Sequence, residues 1–112
     1  MTVTEHEIND AYRTLANATR DAYRVGENLI AVTAELETAK LAGLRDGTID
    51  GKNAELREAA ARAALADLYD GQANAEQENR EYQCALALAK IQVEQVRSLL
   101  RLAEVMKGAE SE

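Results

Sequence analysis

An all-α fold, built as a long antiparallel helical hairpin of coiled-coil type, is what this sequence predicts, and three observations predict it. None of its 112 residues is proline, so no position is forced out of a helix by a missing backbone N–H. Apolar residues recur at alternating steps of three and four along two long stretches, the spacing of one buried helical face. Between them lies a single segment dense in turn residues, Asp46 to Lys52.

The first stretch opens on a capping box, Thr4 with Glu7, in which each residue satisfies the other's free backbone N–H. Val3 and Ile8 flank it at the spacing of a hydrophobic staple. From there the stripe runs Ile8, Ala11, Leu15, Ala18, Ala22, Val25, Leu29, Val32, Leu36, Ala39 and Gly43. A helix over about 4–45 follows, with Gly26 read as a point of close approach. The loop, about 46–52, holds two Asp-Gly pairs, and glycine accepts the positive φ that such turns require. Ile49 is expected to fold back over the end of the hairpin.

Asn53 is a suitable cap for the second helix, about 53–107. Its stripe runs Ala61, Leu65, Leu68, Gln72, Ala75, Asn79, Tyr82, Leu86, Ala89, Val93, Val96, Leu100 and Ala103. Gln72 and Asn79 are polar members of the kind that set register. Asp70-Gly71 leaves two readings open: one continuous helix, or a break near Gly71 giving three helices. Gly108 is expected to end the helix. Glu58–Arg62 and Glu76–Arg80, four apart with the acid first, are predicted surface pairs. All of this is one helical domain over 1–112.

Composition narrows the function classes. Hydrophobic residues make up 46% of the chain but aromatics only 4%, with no Phe or Trp. Much of that apolar content is alanine, which buries little area, so the core must be thin and rest on Leu, Ile and Val. A net charge of −7 disfavours direct binding to duplex DNA, whose phosphates need a basic face. Cys84 is the single cysteine, which excludes an internal disulfide and points to a reducing cytoplasm. No apolar run at the N-terminus reads as a signal peptide. The most apolar stretch, Ala85 to Met106, carries Lys90, Glu94, Arg97, Arg101 and Glu104, so no membrane span is expected.

The second helix has more apolar surface than one neighbour can cover. Helix one, about 40 residues, is roughly 60 Å long, and helix two, about 55 residues, is roughly 80 Å, so part of the second overhangs. Beside its main stripe a second line runs Leu88, Ile91, Leu99, Leu102 and Met106. A helix apolar on two faces needs two neighbours. The first helix is one; a second copy of the chain is the expected other, in a homo-oligomer of dimeric or higher order, the alternative being a break at Gly71 after which a third helix packs against both others within one chain.

Candidate chemistry is sparse. His6 and Asp10 have metal-ligand spacing, but there is no second histidine, and the pair reads as a solvated first turn. Cys84 has no base near it in sequence and reads as a small packing or surface residue. Arg13, Arg20 and Arg24 share a face with Asn17, and Arg97 and Arg101 form a shorter basic patch; both read as solvated flanks. The four tyrosines read as edge packing between helices. The least bland feature is Gly51-Lys52-Asn53 at a helix N-terminus with Arg57 one turn on. Free N–H groups beside a lysine and an arginine suit an anion. Lys52, Asn53 and Arg57 are therefore the first candidates for binding one, and Arg20 and Arg24 the second.

The run Gly51-Lys52-Asn53-Ala54-Glu55-Leu56-Arg57 resembles a helix start in small helical phage and prophage proteins, where GKN and a following arginine open a long helix rich in Ala, Glu, Leu and Arg. With a stretch like Ala85 to Leu102, the resemblance covers roughly residues 48 to 105. It implies a genomic setting, and a host cytoplasm, more than a mechanism, since such proteins generally have no assigned activity. The size is also similar to a secreted helical-hairpin family, but that family's Trp-x-Gly turn has no counterpart here.

No acid–base or nucleophile pair points to an enzyme, and no cofactor is implied. The expected function is a non-enzymatic, phage-type binding or inhibitor protein that occupies a host defence protein or an anionic, nucleotide-like signal. The alternative is an accessory or assembly coiled coil for phage recombination, replication or particle building.

Overall fold

The computed structural model describes residues 3–111 and is all helix: α1 spans Glu5–Asp46, α2 Ala54–Ala64 and α3 Ala66–Ser111. The helical hairpin is thus as its sequence predicts. The chain divides into two compact units, Met1–Tyr23 with Glu81–Glu112, and Arg24–Arg80. In each, a piece of α1 packs against an antiparallel piece of the return helix.

In the first unit the core is Ala11, Val93 and Val96, with Val3, Ile8, Leu15 and Leu100 packed against it. The capping box forms: Glu7 N–H donates to Thr4 Oγ1 at 3.1 Å and Thr4 N–H to Glu7 Oε2 at 3.3 Å. Small residues dominate the contact, with Ala18, Ala22 and Ala89 also buried, so the helices lie close and the thin core follows from the alanine content.

In the second unit Val25, Leu36, Ile49, Ala61 and Ala75 are buried. Asp46 begins the turn by accepting from Thr48 N–H at 2.8 Å. The Thr48 hydroxyl, which also donates to Asp46 Oδ1, and then this N–H hold the Asp46 carboxyl below the ordinary range. Gly47 follows at φ 83°, the left-handed conformation glycine adopts without strain. Ile49 then folds back, its N–H bonded to Gly43 O at 3.0 Å. The close approach is therefore at Gly43, where an added Cβ would lie 2.6 Å from Ile49 Cδ1. It is not at Gly26, where a Cβ would meet Asn79 Oδ1 only at 3.8 Å.

The return helix is interrupted at Leu65 (φ −116°, ψ 31°), not near Gly71, which lies inside α3. Glycine costs a helix only about 1 kcal/mol, too little to stop one that is anchored on both sides. The ladder even carries across the interruption, Leu65 N–H to Ala61 O at 2.8 Å and Tyr69 N–H to Leu65 O at 3.0 Å. A cluster sits over it. Tyr69 Oη donates to Glu58 Oε1 at 2.9 Å, Lys40 Nζ lies 3.3 Å from Glu58 Oε2, and the Arg62 guanidinium stacks 4.7 Å from the Tyr69 ring centre. On a straight helix eleven residues span about 16 Å, so the Glu58–Tyr69 bond needs the segments drawn together at Leu65. The Tyr69 hydroxyl and Lys40 hold the Glu58 carboxyl below its usual range, and Tyr69 and Glu58 hold the Lys40 amine above its own.

Nor does Gly108 end α3, which continues to Ser111; Gly108 has no positive φ, so it does not form a glycine helix cap. The Glu58–Arg62 pair forms at 3.4 Å, whereas Glu76–Arg80 is not among the ion pairs of the described residues. Gln72 Nε2 reaches Thr33 Oγ1 at 3.4 Å, which ties the polar stripe position to α1.

A Cβ at Gly71 meets nothing within 4 Å. Gly71→Ala should therefore stabilise the chain by about 0.5–1 kcal/mol through helix propensity and a less flexible unfolded state. The midpoint of urea unfolding should rise, and a fall would mean that Gly71 is a working hinge.

Candidate functional site

Two places can be weighed: the turn into α2, and the outer face of α3. At the turn, Asn53 caps α2, its Oδ1 accepting from Leu56 N–H at 2.9 Å. The Arg57 guanidinium curls back to Gly51 O at 3.3 Å. Gly51 packs so closely that an added Cβ would lie 2.7 Å from Arg57 N. The Gly51–Arg57 run is thus accounted for as a tight helix entry. Lys52 is exposed. The hollow beside this turn, about 190 Å³, is lined by Lys40, Leu44, Arg57 and Glu58 among others, and neither Lys52 nor Asn53 lines it.

Arg24 lies on α1 about six helical turns, or about 33 Å along the axis, before its end, so it does not join Lys52 in one site, and Arg20 belongs to the other compact unit. Arg20 Nη2 donates to Asn17 Oδ1 at 2.6 Å, Arg24 has its own interaction, and Arg13 faces Asp10 at 3.9 Å. His6 Nε2 lies 3.2 Å from Asp10 Oδ2. Among the described residues no three His, Cys, Asp or Glu side chains are grouped to hold a metal. Cys84 is exposed.

The outer face of α3 is different in kind. Ala89, Val93 and Val96 turn inward and are buried, while Leu88, Ile91, Leu102 and Met106 on the other side are 61%, 55%, 48% and 55% exposed. Leu99 is half-buried, on the flank between the two faces. Every residue from 101 to 109 is exposed, since the core contacts with α1 reach only to Leu100. Val105, 69% exposed, belongs to the same face. Its step of three from Leu102 was the available signal for it, but sequence reasoning passed over it. The face holds a shallow hollow of about 610 Å³ lined by Lys90, Ile91, Glu94, Gln95, Ser98 and Leu99. Sequence reasoning also missed the exposed Ile30, Leu41 and Leu44 on α1 and Leu56 on α2.

Among the described residues no helix is long and apolar enough to cross a membrane, so the apolar face of α3 is not a lipid span. Comparison of the chain with family models, curated proteins and solved structures found no match.

Proposed function

We propose that this chain is a non-enzymatic binding protein that works by helix-to-helix docking through the outer face of α3, first with a second copy of itself. The observation that carries the reading is the two-sided apolar character of α3: one side is occupied by α1, and the other offers Leu88, Ile91, Leu102, Val105 and Met106 to solvent. Two exposed apolar clusters on one face of a charged helix, Leu88 with Ile91 and Leu102 with Val105 and Met106, divided by Gln95 and Ser98, favour association over hydration. The assembled protein then occupies another protein. In the phage setting suggested by the Gly51–Arg57 run, that partner is a host defence protein. An anionic signal bound at Lys52 is less favoured, because Asn53 and Arg57 already serve the turn. A pure assembly role would use the same α3 surface, and differs in needing no foreign partner.

Leu102→Glu tests the reading. It places a charge in the C-terminal apolar cluster of the exposed face without touching the core contact with α1, so circular dichroism should not change. In sedimentation equilibrium the wild type should be oligomeric and the variant monomeric. Equal masses for the two would contradict docking through this face.

A further inference from the structure

We infer that the partner copy lies antiparallel on α3, in a two-fold register centred between Gln95 and Ser98. This rests on the docking of α3 proposed above and adds its orientation and pairing. The outer stripe runs Leu88, Ile91, Gln95, Ser98, Leu102 and Val105 at steps of three, four, three, four and three, the a and d positions of a heptad. The hollow on this face contains Ile91, Glu94, Gln95 and Ser98. Those four are the surround of a single a position, the hole into which a facing helix places one knob.

Charge selects the orientation. Along this stripe the flanking e and g positions are Ala85, Ala87, Gln92, Glu94, Leu99, Arg101, Met106 and Gly108, so Glu94 and Arg101 are the only charged ones. In a parallel pair, g of one helix faces e of the other, which sets Glu94 against Leu99 and Arg101 against Met106. In an antiparallel pair g faces g. With Leu88 opposite the partner's Val105, Ile91 opposite the partner's Leu102, and Gln95 opposite the partner's Ser98, Glu94 faces the partner's Arg101. The two-fold axis repeats the contact, giving two opposite-charge pairs. Gln95 and Ser98 fall together in the middle layers, where amide and hydroxyl can bond one another. The parallel pair instead stacks each polar residue on itself. Within its own chain Glu94 already accepts from Arg97 at 3.2 Å, an exposed pair that leaves its second carboxylate oxygen for the partner.

Charge exchange tests the register. By sedimentation equilibrium, Glu94→Arg and Arg101→Glu should each weaken the dimer about tenfold, since each sets two like charges together twice. The double variant should recover to within about threefold of wild type, and mixing the two single variants should yield mainly the heterodimer. Circular dichroism on each confirms that the helices persist. A double variant weaker than either single one, or single variants that dimerise like wild type, would overturn the antiparallel register. The Leu102→Glu result would still stand in that case. If the wild type itself is monomeric, the docking of α3 fails along with the register.

Discussion

Leu36→Ala is expected to lower the stability of the chain by about 3 kcal/mol, within the range for emptying a leucine site in a packed core. Leu36 is 2% exposed, and with Val25 it is the largest side chain so fully enclosed. The other buried hydrophobic positions are mostly alanines, Ala11, Ala18, Ala22, Ala61, Ala75 and Ala89. They bring the backbones close but supply little buried area of their own. Enclosed Leu and Val therefore carry a large share of a stability that in proteins of this size is itself only about 5–15 kcal/mol. Leu41→Ala, at a position 55% exposed, is the matched control and should change stability by no more than about 1 kcal/mol. Urea unfolding followed by circular dichroism measures both. Equal small losses would mean that the hairpin is held mainly outside this core.

The second large effect is at Gly51. An alanine Cβ there would lie 2.7 Å from Arg57 N, 2.8 Å from the Leu56 carbonyl carbon and 2.8 Å from Leu56 Cβ. Two of those atoms are backbone in the first turn of α2 and cannot turn aside as a flexible side-chain tip does. Gly51→Ala must then push the loop off the helix, stretching the Arg57–Gly51 bond and the Asn53 cap. Overpacking of this kind costs about 1–3 kcal/mol, and loss of the cap about 1 kcal/mol more. Asn53→Ala, which removes only the cap, should cost about 1 kcal/mol. The unfolding midpoint of Gly51→Ala should therefore fall well below that of Asn53→Ala. If the two variants unfold together, Gly51 is not held by the space that the structure assigns it.

Much of this was legible in the sequence because it was repeated or locally satisfied. The first stripe needed no tertiary information: each of its residues from Ile8 to Gly43 is buried or half-buried. The Thr4–Glu7 box, the Asn53 cap and the Ile49 fold-back are likewise short-range chemistry. The interruption at Leu65 was not legible. Asp70-Gly71 advertised a break, but glycine's penalty of about 1 kcal/mol is too small to force one, while Leu65 sits in an alanine-rich run with no breaker. What accompanies the interruption, the Tyr69–Glu58 bond with Lys40 and Arg62 around it, joins residues distant in sequence. The candidate surface was legible in outline, since Leu88, Ile91, Leu102 and Met106 stand exposed as their spacing predicted. Leu99 does not, because its angular position brings it round toward the α1 side. At the turn, the sequence offered Lys52, Asn53 and Arg57 for an anion; what it did not show is that Asn53 also caps α2 and Arg57 also bonds Gly51 O, because those bonds depend on the shape of the closed loop.

Docking through α3 is read out by native mass spectrometry of the wild-type chain over a dilution series, with and without cell extract. The expected species has twice the chain mass, persists on dilution, dissociates in Leu102→Glu, and gains the mass of a protein, not of a small anion, when extract is present. A single-chain mass at every concentration would contradict that docking, because the outer face of α3 would then remain uncovered in the working protein.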